Sequence, residues 1–173
     1  MLLHPHTKHL RAELIAAHVA RAGLDGVVCF SCGNASRALY AAGVDVLAPA
    51  PGDRWAATQG SHHKPLVVLD WYTTADVRRL WPRRLDATSG HLPQDLMRQL
   101  AASVRASVGP LKPGTYRVPS GSGETVVALC MAYAEQRDVD FVAVYDHRKP
   151  ETTYNAQAPL NDLVRALARV EHL

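Results

Sequence analysis

Short apolar, β-branched runs alternate with amphipathic stretches along nearly the whole chain, and this alternation constrains the fold more than any other feature. The runs at 27–30, 44–47, 66–70 and 141–145 are too short for helices and read as buried strands. Between them Leu10, Leu14, Ile15 and Val19 share a helical face that stops before Gly23, and Leu96, Leu100 and Val104 share another behind Pro93. Residues 35–42 and 74–80 read as further helices, a stretch from the 119–125 loop to about Gln136 as another, and residues 160–170 as the last, with Leu163, Val164, Leu167 and Val170 in one stripe. A short extended piece is expected at 116–118. Strands that alternate with helices pair in parallel and need cover on both faces. The expected architecture is therefore a three-layer, doubly wound, mostly parallel α/β sheet, with residues 1–173 forming a single domain.

Composition supports a packed protein. Of 173 residues 47 % are hydrophobic and 20 % charged, which excludes a disordered chain. No apolar run approaches the roughly 18 residues of a membrane helix, and the start MLLHPHTKHL lacks the apolar stretch of a secretory signal. The three cysteines, an odd number, argue against a disulfide framework and for a reducing compartment. The expected address is the cytoplasm, with no membrane partner. A net charge of +3 is not a nucleic-acid signature by itself. Of the 19 cationic side chains only Lys8, Lys64, Lys112 and Lys149 are lysines, so any lysine chemistry has four candidates.

Ligands of open α/β sheets bind beyond the carboxyl ends of the strands, so the strand-to-helix loops matter most. Two are unusual. Ser31, Cys32, Gly33, Asn34, Ala35 and Ser36 form a small, polar turn at a helix start, suited to a carboxylate. Gly121, Ser122, Gly123, Glu124 and Thr125 form a second, where glycines let backbone N–H groups approach a phosphate. It is not a Walker loop, because no Gly-Lys-Ser/Thr follows.

The order of Lys8 before a helix and strand, SCGNAS, and then VPSGSGET before a helix and FVAVYD resembles the fold-type-II pyridoxal-phosphate enzymes. That family includes tryptophan synthase β, cysteine synthase and threonine synthase. The resemblance implies a core like that of tryptophan synthase β, pyridoxal 5'-phosphate as cofactor, and a lyase or replacement reaction on an amino-acid-like substrate. It implies a Schiff base on Lys8, a substrate carboxylate held by residues 31–36 with Ser31 and Asn34 in catalytic positions, and Asn34 at the cofactor's ring oxygen. Gly121, Ser122, Gly123, Glu124 and Thr125 would hold the phosphate, with Glu124 standing where the family usually has glycine or another small residue. A homodimer is expected.

Two other classes remain open. Arg78, Arg79, Trp81, Arg83 and Arg84 group four cations around an indole, a pattern able to contact phosphates and stack on a base. It would suit a small nucleic-acid-associated protein, including a viral enzyme that modifies a DNA base. A non-catalytic phosphate or small-molecule binder on a shortened version of the fold is the other class. Cys29 and Cys32 form a C-x-x-C that would need His62 or His63 to complete a metal site, and His4, His6 and His9 read as a solvated terminal cluster, so no metal is expected. Asp70, Asp146, His147 and Tyr154 follow expected strands and are secondary acid–base candidates.

Overall fold

The computed structural model describes residues 1, 3, 6–30, 34–49, 64–66, 74–149 and 158–173. The element order is α1 (Thr7–Ala22), β1 (Gly26–Val28), α2 (Asn34–Ala41), β2 (Val46–Pro49), β3 (Lys64–Leu66), α3 (Thr74–Leu80), β4 (Arg84–Asp86), α4 (Gln94–Val108), β5 (Gly114–Pro119), α5 (Glu124–Ala132), β6 (Val139–Tyr145), α6 (Asn161–Leu167) and β7 (Arg169–His172). The chain is α/β, and every strand pair among the described residues is parallel.

The strands are divided between two sheets, in two compact units: Met1–Thr7 with Pro93–Leu173, and Lys8–Leu92. The Lys8–Leu92 unit holds the order β3-β2-β1-β4. The chain steps outward from β1 through β2 to β3 and then returns to the other side of β1 as β4. Between β1 and β4 lies the topological switch point, the place where open parallel sheets receive ligands. Register there is flush, with Val28 opposite Asp86, so both strands end at the same level. Gly26 opens β1 with φ +151, and a Cβ there would collide with the Asp45 carbonyl, so only glycine fits this approach to the neighbouring chain. Ile15, Val27, Val28, Cys29, Leu39 and Val77 are fully buried, and Leu47 and Trp81 pack against the cluster of Val28, Phe30 and Val77.

The other unit has the order β5-β6-β7. Pro93 caps α4, and Leu96, Leu100 and Val104 bury its apolar face where α4 meets α5. Val126, Ala128 and Leu129 of α5 and Val118, Val142 and Ala143 of the sheet complete this core. Tyr116, Phe141 and Tyr133 add tilted ring pairs at 6.2 and 5.9 Å.

Several sequence expectations need correction. The apolar pattern does not predict β4. The last helix ends at Leu167 and Val170 lies in β7, because Ala168 is extended and residues 169–172 pair with β6. Helix α5 stops at Ala132 instead of Gln136, β1 covers Gly26–Val28 and β2 is shifted to Val46–Pro49. The third strand is Lys64–Leu66, and residues 67–70 lie outside the described residues. Among the described residues no helix is long and apolar enough to cross a membrane.

Candidate active site

The glycine-rich loop leaves β5 at Pro119, and the Ser120 N–H still donates to the Val144 carbonyl at 2.8 Å. Gly123 then takes φ +84 as the N-cap of α5, and a Cβ on it would lie 2.5 Å from Val164 Cγ2. Both the left-handed backbone and the close packing on α6 require glycine. The first N–H groups of α5 have no intrahelical carbonyl to meet, which makes the turn receptive to an anion. The Glu124 N–H makes a long contact of 3.5 Å to Ser122 Oγ. Ser120 is 2 % exposed, and its hydroxyl oxygen has no hydrogen-bond partner among the described residues. Glu124 is buried at the first position of α5.

Thr125, on this same turn, shares a hydrogen bond of 2.8 Å between its hydroxyl and that of Thr7, 118 residues earlier in the chain. Thr7 is buried at the start of α1, and Lys8 is the next residue. The family resemblance calls for a partly desolvated amine at Lys8; in the structure Lys8 is exposed, while Arg11, one turn on, is buried and donates from Nη2 to the Ala87 carbonyl at 2.8 Å.

Ser31, Cys32 and Gly33 of the other loop lie outside the described residues, as does the Asn34 side chain. Asn34 begins α2, followed by buried Ala35 and fully buried Ser36. Cys29 is buried, and its thiol donates to the Ala87 carbonyl at 3.5 Å. No group of three metal-ligating side chains occurs among the described residues, and His4, His62 and His63 lie outside them.

Three of the four cations of the arginine cluster are in ion pairs. Arg83 forms a two-pronged pair with Asp25, both contacts at 2.9 Å, and this holds the Asp25 carboxyl below its ordinary range. Arg84 reaches Asp45 Oδ1 at 2.7 Å and the carbonyls of Asp45 and Val27. Arg79 pairs with Asp76 at 3.5 Å, Arg78 is exposed, and Trp81 is half-buried on the core. Of the secondary candidates, Asp70 and Tyr154 lie outside the described residues. Asp146 is clamped by Arg148 through both carboxylate oxygens, at 2.8 and 3.0 Å, and these hydrogen bonds lower its pKa to about 2. His147 stacks on His172 at 5.6 Å.

The sequence reading missed one polar pair. Asp86, 4 % exposed at the end of β4, meets His91 Nδ1 through Oδ2 at 2.7 Å and accepts the Thr88 N–H on Oδ1 at 3.0 Å. The Thr88 hydroxyl accepts the Phe30 N–H at 3.0 Å, and the Ala87 N–H donates to the Val28 carbonyl at 2.8 Å. These bonds close the gap between the ends of β1 and β4. The signal was present as Asp86-Ala-Thr-Ser-Gly-His91, an acid and a histidine joined by a glycine turn tight enough for one to reach the other.

No protein-family model matches the sequence, and no curated protein does. Among solved structures the chain resembles a threonine deaminase from T.th., with a TM-score of 0.53 and 14 % identity over 92 % of this chain. The chain spans 64 % of that structure's length. The likeness is one of fold, and it establishes a distant fold relationship to that enzyme.

Proposed function

We propose that this chain is a pyridoxal-phosphate-dependent enzyme that cleaves or replaces a bond at the α or β carbon of an amino-acid-like substrate, with Lys8 as the point of covalent attachment. The observation that carries this reading is the Thr7–Thr125 hydroxyl bond at 2.8 Å. It ties the residue before Lys8 to the glycine-rich turn, two pieces that the family resemblance assigns to one cofactor. The fold likeness to threonine deaminase, an enzyme named for removing an amino group from an amino acid, supports the same class.

The glycine-rich turn supports this reading for the phosphate. A helix start whose first N–H groups lie outside the helical ladder, a glycine where a side chain would clash, and the orphaned buried Ser120 hydroxyl together make a donor set for phosphate. Glu124 is the discordant member, a carboxylate where an anion would sit. When bound, pyridoxal phosphate supplies an electron sink for negative charge at the substrate's α carbon. On this reading the α5 N-terminus with Ser122 and Thr125 would hold the phosphate, and the family resemblance would assign Asn34 to the ring oxygen and residues 31–36 to the substrate carboxylate. Lys8, exposed and near the start of its helix, would be the point of attachment and the group to move the proton at the α carbon. A homodimer is part of this proposal.

The test is addition of pyridoxal phosphate to the purified protein, borohydride reduction and peptide mapping, for the native chain and Lys8→Ala. The expected result is a visible absorbance band and a pyridoxyl label on Lys8, both lost in the variant. No band, or a label spread over Lys64, Lys112 and Lys149 as well, rejects the reading.

A further inference from the structure

In the three-stranded unit the glycine-rich turn lies at the carboxyl end of β5, and a different polar arrangement occupies the amino ends of β5 and β6. Helix α4 ends at Val108 and α5 at Ala132, and the turns that lead from them into β5 and β6 are tied together by side chains. The Tyr133 hydroxyl donates to the Gly109 carbonyl at 2.6 Å, and Gln136 Nε2 donates to the Leu111 carbonyl at 2.6 Å. With its NH2 committed to a carbonyl, Gln136 keeps Oε1 as an acceptor, and Arg105 Nη1 donates to it at 3.3 Å. The guanidinium carbon of Arg105 lies 4.3 Å from the centre of the Tyr133 ring. An arginine in the last turn of α4 is thereby fixed on its face and at one N–H group.

Arg105 borders an open groove of about 680 Å³, whose other walls include Pro110, Met131, Ala132 and Ala134. That volume is in the size class of small-molecule sites. A guanidinium carries five N–H donors and does not lose its charge, and Gln136 takes one of those donors. Among the described residues no carboxylate comes within ion-pair distance of Arg105, in contrast to Arg83, Arg84 and Arg148. Glu135 also lines the groove, but it is exposed and does not pair with Arg105. A cation that served only the last carbonyls of α4 could do so from solvent. Here the guanidinium is laid flat on a ring and held, so much of the side-chain freedom that binding would remove is already lost on folding.

We infer that this groove binds a small monocarboxylate with a short apolar chain, its carboxylate on the remaining N–H groups of Arg105 and its chain against Pro110, Met131 and Ala132. Charge complementarity selects the head group. One planar guanidinium matches the two oxygens of one carboxylate, and Glu135 on the same groove disfavours a second negative charge, as on a phosphate dianion. The apolar walls select the chain. The groove is separate from the glycine-rich turn: β5 and β6 run six and seven residues between the two ends of the sheet, a span of about 20 Å. The site lies wholly within the unit that contains Pro93–Leu173, and it requires neither Lys8 nor pyridoxal phosphate.

The experiment titrates the 15N-labelled native chain, without added cofactor, with hexanoate, hexanamide, acetate and inorganic phosphate, and follows the backbone and side-chain N–H resonances. The expected result is saturable hexanoate binding with a Kd of about 1 mM, a scale suited to one charged contact in an open groove. Its shifts should centre on Arg105 Nε, the Gln136 side-chain amide and the backbone amides of Ala132 and Ala134. Hexanamide, which lacks the charge, should bind at least about 10-fold more weakly. Acetate, which lacks the chain, should bind at least about 5-fold more weakly. No saturable hexanoate binding overturns the inference, as does hexanamide, acetate or phosphate binding as tightly as hexanoate. Shifts centred on residues 121–125 overturn it too, since the anion would then sit on the glycine-rich turn. Arg105 also braces its own turn, so the ligand comparison on the native chain stands first and Arg105→Gln second. With its spectrum unchanged outside the two turns, that variant should bind hexanoate at least about 10-fold more weakly, and an undiminished affinity overturns the assignment to Arg105.

Discussion

Two aspartates, Asp86 and Asp146, stand at the carboxyl ends of parallel strands, one in each sheet, and both are buried. Both make the same local turn, accepting the N–H of the residue two positions on, Thr88 or Arg148, at 3.0 Å on Oδ1. They diverge in the second partner. Asp146 gives both oxygens to the Arg148 guanidinium, which cannot release its proton, and is held ionised with a pKa of about 2. Asp86 gives Oδ2 to an imidazole, which can exchange one. Position at a strand end therefore does not decide whether a carboxylate serves chemistry; the partner does. By position alone the two are equal; they differ in that Asp86 meets an imidazole and Asp146 a guanidinium.

The largest expected effect comes from cutting each pair at its carboxylate. Asp86→Ala strands two buried donors, the Thr88 N–H and His91 Nδ1–H, and should lower stability by about 3 kcal/mol. Asp146→Ala removes a pair whose arginine is largely exposed, 76 % at the side chain, and should shift the urea midpoint much less. Urea unfolding of both variants at neutral pH measures the difference. Equal midpoint shifts would break the contrast between a buried and a solvent-facing pair.

The legibility of these two sites in the sequence differed for the same physical reason. Strand β6 is seven residues with six buried, so its end, and Asp146 after it, could be read directly. Strand β4 is Arg-Leu-Asp, three residues with one apolar, and it carries neither an alternating nor a continuous apolar pattern. Its arginine looked like part of a surface patch, although Arg84 is held by Asp45 and two backbone carbonyls. Strand β7 was lost in the opposite way, because Leu163, Val164, Leu167 and Val170 keep helical spacing across a break in conformation at Ala168. By contrast α1, α3 and α4 lie where their caps and periodicity put them, and the glycine-rich turn opens a helix as expected. Pairing of Thr7 with Thr125 was not readable, since contacts between distant hydroxyls leave no local pattern.

Glu124 is a third buried carboxylate beyond a parallel strand, and it sharpens the comparison because its setting is a helix start instead of a turn. A negative charge there is favourable to the helix by about 0.5 kcal/mol, yet opposes a phosphate at the same N–H groups. Glu124→Gln should therefore tighten pyridoxal phosphate binding by about 5-fold, as about 1 kcal/mol of repulsion is removed, while slightly lowering the melting temperature. Absorbance titration with the cofactor reads the first effect and a thermal melt the second. Unchanged affinity would show that the phosphate is held elsewhere than the α5 N-terminus.

The smallest expected effect is the acid titration of the Asp146–Arg148 clamp. The folded pKa of about 2 lies below the unfolded value near 4, so the unfolded chain binds the proton first as pH falls. The stabilisation is then fully present above about pH 4 to 5 and is lost as pH drops toward about 2. Asp25, lowered by Arg83, titrates in the same direction, so the native profile alone sums the two. Asp146→Asn isolates one of them: its melting temperature should fall slightly below that of the native chain from about pH 5 to 7, with the gap closing between about pH 4 and 2. No gap at any pH from about 7 to 2 would mean that Asp146 acts through its turn to the Arg148 N–H, which asparagine also makes, and not through charge. In that event Asp146 and Asp86 would differ by less than their partners indicate.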